Sequence, residues 1–233
     1  VCAFSHISLM FLSIFLTADH LTLETHIAWQ NALMCLFFDG ISAIGTNEIF
    51  PRRRPIHNFC DSCRGISCQR GQVTQVHYHL FNYGNFNIFA LPPSAQRLNI
   101  TRCHQKFEFN THGLPPRLLA LNLCANEIYG TVDMTCLPVT LEYLTLSQNN
   151  LSGYLDLTHL PRPIRTILLS NNRFQQKTVW YDNLPQTVSK IKEDVSKIKI
   201  DLGISNHSCP NRIREVHAVH EDQERYNQFS PFC

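Results

Sequence analysis

Residues 114–136 read LPPRLLALNLCANEIYGTVDMTC, residues 137–159 read LPVTLEYLTLSQNNLSGYLDLTH, and residues 160–183 read LPRPIRTILLSNNRFQQKTVWYDN. The dipeptide Leu-Pro returns at Leu91, Leu114, Leu137, Leu160 and Leu184, at intervals of 23, 23, 23 and 24. The three segments share one frame, L-P-x-x-φ-x-x-φ-x-φ-x-x-N-x-φ-x-G-x-φ-x-φ-x-x, in which φ is apolar and the glycine is missing from the third copy. A fixed period of this length marks a stack of similar coils, each burying its apolar face against its neighbours. Within the frame, φ-x-φ segments such as Leu144-Thr145-Leu146 alternate with period two. Each therefore predicts a short strand with one buried face.

The frame resembles the leucine-rich repeat, L-x-x-L-x-L-x-x-N-x-L. The resemblance implies an α/β solenoid: a horseshoe segment of about five coils with a concave parallel β-sheet and an N-terminal helical cap. Asn126, Asn149 and Asn172 fall where the chain turns inward after each strand. A buried amide there can serve backbone donors and acceptors of adjacent coils. Gly130 and Gly153, each followed by φ-x-φ (Val132/Met134 and Leu155/Leu157), point to a second extended segment on the convex side. That feature is similar to the plant-type subclass, in which short convex strands are expected more than full helices.

Outward from this centre the frame decays. Upstream, Val73-x-x-Val76-x-Tyr78 and GNFNIFALP (84–92) form a unit one residue short. The copy at 91–113 places Cys103 at the asparagine position, with some loss of hydrogen bonding. Downstream, VSKIKED (188–194) is followed by VSKIKID (195–201), so either Val188/Ile191 or Val195/Ile198/Ile200 can supply the last strand. The fuller φ-x-x-φ-x-φ pattern favours Val195–Ile200.

An open solenoid end needs a cap. Residues 22–38 carry Leu23, Ile27, Ala28, Met34 and Phe37 near helical spacing, and predict a helix. The segment CDSCRGISCQRGQVTQV (60–76) resembles the cysteine-containing cap of plant-type extracellular repeats: Gly65, Ile66 and Cys68 match G-V-x-C, whereas Cys63 stands at the tryptophan position. That likeness implies a Cys60–Cys68 disulfide, with Cys63 either pairing with Cys35 or staying reduced. The rival is a zinc site from His57, Cys60, Cys63 and Cys68, whose spacing partly fits. Cys209 and Cys233 bracket the tail and are candidates for closing a C-terminal cap, while Cys124 and Cys136 are expected to be reduced unless they bond a partner.

The domain reading is 1–18 as a signal peptide or the end of a membrane anchor, 19–72 as the cap, 73–205 as repeats and 206–233 as a C-terminal cap or tail. The leader rests on the apolar run ISLMFLSIFL (7–16) followed by Thr17-Ala18-Asp19, with an ordinary buried segment as the third reading. Ten cysteines in 233 residues, together with the sequons at Asn99, Asn150 and Asn206, favour a secreted or cell-surface location with glycosylation at those asparagines.

Charged residues are 16% of the chain, against roughly 25% in an average protein. The net charge of +2 is too balanced for a dedicated nucleic-acid binder. No nucleophile elbow, zinc-protease motif, phosphate loop or calcium loop occurs, so no cofactor and no catalysis are expected. Arg52-Arg53-Arg54 reads as a solvated linker, and His217 with His220 as a polar helix face rather than a metal site. The expected function is binding. On the concave face the candidate contacts are Arg97, Asn122, Tyr143, Thr145 and Thr166, with Arg97 and Tyr143 as anchors because such residues dominate hot spots. The ligand would be a protein, peptide or glycan. A hydrolase inhibitor, the recognition part of a larger signalling or ligase assembly, and a decayed copy are the alternatives.

Overall fold

A computed structural model describes residues 23–50, 58–174, 180–181 and 190–192. The chain opens with helix α1 (Leu23–Phe37), helix α2 (Ala43–Ile49) and the single turn α3 (Phe59–Ser62). Eleven short strands follow: β1 (Ile66–Gln69), β2 (Gln72–His79), β3 (Arg97–Thr101), β4 (Ala120–Asn122), β5 (Tyr129–Thr131), β6 (Tyr143–Thr145), β7 (Asn150–Ser152), β8 (Asp156–Leu157), β9 (Thr166–Leu168), β10 (Trp180–Tyr181) and β11 (Lys190–Lys192).

The main sheet runs β1-β2-β3-β4-β6-β9-β11. Its first pair is an antiparallel hairpin, and every later pair is parallel. The 23-residue frame sets this register directly: Leu98 lies opposite Leu121, Leu121 opposite Leu144, and Leu144 opposite Ile167. These residues, with Ile100, Leu123, Leu146 and Leu169, point inward and are almost fully buried. Each coil thus adds one layer to a single continuous core, as a parallel β-solenoid requires.

The convex side carries short strands and 3₁₀ turns rather than long helices. β5 pairs with β7 in parallel, and β8 with β10. The predicted second segment is shifted, however. Gly130 lies inside β5 rather than ahead of it, and Met134 begins a 3₁₀ turn instead of extending a strand. The last sheet strand corrects the sequence expectation. Ile191, from the first copy of the duplication, pairs with Ile167, so the frame continues at an interval of 24. Using Ile198 instead would force a seven-residue excess into one coil. Residues 195–200 lie outside the described residues.

One non-glycine residue after each of the sheet strands β2, β3, β4, β6 and β9 adopts a left-handed backbone: Leu80, Arg102, Ala125, Gln148 and Asn171, with φ between 53 and 58°. This conformation reverses the chain at the sheet edge and is uncommon for residues with a Cβ. His104 adds a second such residue in the coil of Arg102.

The cap helix matches the predicted span closely. Gln30, Met34 and Phe37 recur at i, i+4 and i+7 and form its buried face. Phe37 stacks on Phe86 at 5.2 Å, Tyr78 on Phe86 at 4.5 Å, and Phe38 on Phe59 at 5.8 Å. This aromatic cluster seals the first coil. Gly84 meets the Gly40 backbone at φ +125°, where a Cβ has no room. Cys60 and Cys68 form a disulfide with a Cα separation of 5.7 Å. The zinc alternative at the cap is thereby removed, because two of its ligands are bonded to each other. Cys63 is a thiol, and no disulfide joins it to Cys35.

Candidate functional site: the concave sheet and its asparagine ladder

Two rows of outward side chains cross the concave sheet. The first is Gln75–Arg97–Ala120–Tyr143–Thr166, and the second is His77–Asn99–Asn122–Thr145–Leu168. All five predicted contact residues therefore share one face: Arg97, Tyr143 and Thr166 in one row, and Asn122 and Thr145 in the other. Arg97 is exposed, whereas Tyr143, Asn122 and Thr166 are half-buried. Arg97 and Tyr143 are two strands apart, about 9–10 Å along the row at the usual strand spacing. Between them stands only the methyl group of Ala120, so the row has a step flanked by a cation and a phenol.

Exposure is uneven along the face. Gln75, His77 and Arg97 are open to solvent, while Thr145, Ser147 and Leu168 are buried. The accessible floor thus begins one coil earlier than the frame indicates. Gln75 and His77 belong to the irregular first unit, where no Leu-Pro precedes the strand, and the alternation of Val76 and Tyr78 is the sequence signal that could have found them. Beside them, His79 Nδ1 lies 3.0 Å from Thr101 Oγ1. Desolvation first, then the neighbouring charges of Arg102 and His77, hold this imidazole below its ordinary value. His79 is therefore neutral at physiological pH.

Other predicted positions separate clearly. Asn99 is half-buried between its row neighbours, and its buried Oδ1 accepts no hydrogen bond. Asn150 is half-buried in β7 on the convex-side pairing, and Asn206 lies outside the described residues. Cys136 is a thiol on the convex side. Cys124 departs from expectation: it is disulfide-bonded.

The feature that fixes this face is the ladder behind it. Asn149 Nδ2 donates to the carbonyls of Leu123, Leu146 and Ser147 at 2.9–3.2 Å, and its Oδ1 accepts the Ile128 amide at 3.1 Å. Asn126 repeats this one coil back, donating to Ile100, Leu123 and Cys124 and accepting from the amides of Cys103 and Gln105. Asn172 repeats it one coil on, through Leu146, Leu169 and Leu151. The strand, the amide behind it and the 23-residue pitch together decide the fold class. The chain is a parallel β-solenoid built on a 23-residue frame.

Within this repeat array Cys103 is the weak member of the ladder. Its thiol donates to Thr101 O at 3.1 Å and accepts the Phe81 amide at 3.4 Å, fewer bonds than an asparagine makes. Gln105, fully buried two residues on, supplies what is missing. It donates to Gly84 O and Cys103 O, both at 2.9 Å, and accepts the Phe86 amide at 2.8 Å. Gln30 does the same for the cap, donating to Gly71 O at 3.0 Å and accepting the Val73 amide at 2.8 Å. Gln105 stands at the apolar frame position filled by Ile128, Leu151 and Phe174 in the later coils, so a polar residue there was the signal, whereas Gln30 lies outside the frame.

No protein-family model and no curated protein matches the chain. Among solved structures, the leucine-rich repeat ectodomain of the receptor kinase SOBIR1 from Arabidopsis thaliana is similar at 17% identity, over 71% of this chain and 96% of that one, with a TM-score of 0.49. Pollen Receptor Kinase 3 is similar at 18% identity, over 74% and 98%, with a TM-score of 0.48. The BIR3–SERK2 complex from Arabidopsis thaliana is similar at 17%, over 63% and 83%, with a TM-score of 0.43. Likenesses this distant say nothing of a ligand. Among the described residues, no helix is long and apolar enough to cross a membrane.

Proposed function

We propose that this leucine-rich repeat array is a non-catalytic binding module of a secreted or cell-surface protein, and that its ligand is a protein, peptide or glycan seated on the concave sheet. The observation that carries this reading is the open row from Gln75 through Arg97 to Tyr143, interrupted by the small Ala120. A rigid parallel sheet presents these side chains at fixed spacing, so little conformational entropy is lost when a ligand docks. Arg97 supplies a forked cationic donor and Tyr143 a flat amphipathic surface, the pairing that anchors hot spots. Asn122 and Thr166 extend the polar floor, whereas the buried Thr145 does not reach a ligand. The Cys60–Cys68 disulfide supports an oxidising compartment.

The test is affinity capture with the full chain, followed by titration of the captured ligand against variants. Arg97→Ala and Tyr143→Ala each weaken binding by about tenfold or more. Arg117→Ala, an exposed cation outside the sheet rows, leaves it unchanged. Unchanged affinity in both concave variants would sink the proposal.

A further inference from the structure

The convex side carries a convergence of ligating groups that the binding face does not use. His112 lies in the 3₁₀ turn Thr111–Gly113, and Asp133 and Cys136 belong to the equivalent turn, Met134–Cys136 and its cap, one coil on. Their ligating atoms, an imidazole nitrogen, a carboxylate oxygen and the thiol sulfur, all lie within 4.8 Å of one another. His112 and Asp133 are exposed and Cys136 is half-buried, so all three can be reached from solvent.

The turns that hold these groups are tied together. Thr111 Oγ1, itself buried, accepts the Asp133 amide at 3.2 Å and locks one coil's turn to the next. Asn110 Oδ1 accepts the His112 amide at 3.1 Å and fixes that backbone. Asp133 Oδ1 accepts the Thr135 amide at 2.9 Å and the Thr135 hydroxyl at 2.6 Å. The carboxylate is thus oriented by its neighbours through one oxygen. The next coil repeats the scaffold with Asp156 and Thr158, bonded at the same 2.9 and 2.6 Å. There, however, His159 takes the cysteine position and a Thr the histidine position, so the thiol is lost.

We infer that His112, Asp133 and Cys136 form a site for a divalent transition metal of borderline softness, Zn²⁺ foremost. One imidazole, one thiolate and one carboxylate are a zinc donor set, whereas Mg²⁺ and Ca²⁺ take oxygen ligands. Bond lengths of about 2.0–2.3 Å place ligand atoms of a tetrahedron roughly 3.3–3.8 Å apart. Separations of no more than 4.8 Å therefore need a closure of at most about 1.5 Å, within reach of rotation of these side chains. Water fills the fourth position, as in zinc sites with three protein ligands. On binding, the Cys136 thiol loses its proton to solvent and the sulfur lone pair forms the metal bond, so uptake falls as pH falls.

The test uses the full chain, purified without reductant so that the cap disulfide is kept, and Co²⁺ as the spectroscopic probe. One equivalent of Co²⁺ gives a thiolate-to-cobalt charge-transfer band in the near ultraviolet, and Zn²⁺ abolishes it at one equivalent. Cys136→Ser loses the band. His112→Ala, an exposed change that does not threaten folding, weakens Zn²⁺ binding by about tenfold or more. Cys63→Ser keeps both the band and the affinity. Absence of the band in the wild type, its persistence in Cys136→Ser, or unchanged Zn²⁺ affinity in His112→Ala overturns the assignment.

Discussion

Replacing Asn149 by alanine tests the ladder more severely than any core truncation. The side chain makes four hydrogen bonds, three as donor to carbonyls and one as acceptor from the Ile128 amide. Alanine leaves that amide buried with no side-chain acceptor and removes a donor from three carbonyls across two coils. Stranding a buried donor costs about 1–3 kcal/mol, and each further net hydrogen bond contributes about 1 kcal/mol or less. The expected loss is about 3–5 kcal/mol, a large share of the 5–15 kcal/mol that typical domains possess. Asn172 makes three such bonds and is half-buried, so Asn172→Ala costs less. Asn122, half-buried on the concave face with its Oδ1 accepting the Cys124 amide at 3.1 Å, is the comparison, and its replacement costs about 1 kcal/mol. Urea unfolding followed by circular dichroism measures all three. The order Asn149, Asn172, Asn122 is the prediction. A loss below about 1 kcal/mol for Asn149→Ala, or an equal loss at Asn122, would refute the claim that the amides hold the coils together.

The remaining predictions concern the cap. Opening the Cys60–Cys68 bridge, which spans a separation of 8 residues, lowers stability by about 2.5 kcal/mol in the chain-entropy account; melting a Cys60→Ser/Cys68→Ser variant against wild type measures it. The Cys63 thiol is pushed up to about 12 by burial, against 9.0 for an ordinary thiol, with a hydrogen bond from Tyr78 acting in the opposite direction. Its folded value lies above its unfolded one. The stability it contributes is therefore complete below about pH 9 and drains as pH rises toward about 12. Wild type loses about 1–2 kcal/mol more than Cys63→Ser between pH 8 and about pH 10.5, read from urea midpoints at the two values. Parallel alkaline curves for the two proteins would contradict the burial of this thiol.

The parts of this molecule that were legible from residues are those that repeat. A period of 23 fixes which leucines face inward, which asparagines stand behind the strands and which side chains share the concave rows. Cys103 betrayed itself by standing where an amide belonged. What escaped the reading is what happens once. Gln105 repairs the ladder from a frame position that is apolar in every later coil, and Gln30 joins a helix to a strand 43 residues away. The hairpin of β1 and β2, the brief helices α2 and α3 and the burial of Thr145 and Leu168 depend on neighbours that no local pattern names. The choice of Lys190–Lys192 as the last strand shows the limit of motif quality. The better-looking copy lost because pitch, not pattern, decides which segment reaches the sheet edge.

The same regularity sets where the array is mechanically softest. Each ordinary coil holds one left-handed residue and one asparagine that clasps it to its neighbours. The coil around residues 101–105 holds two left-handed residues, Arg102 and His104, and clasps with a thiol and a borrowed glutamine. A pull applied to the two ends of the solenoid would concentrate its opening there, between the aromatic cap and the regular coils. Arg97 and His77 lie on the strands at this joint. A ligand held by both would act as a brace across it, so that load and occupancy of the concave face become coupled quantities.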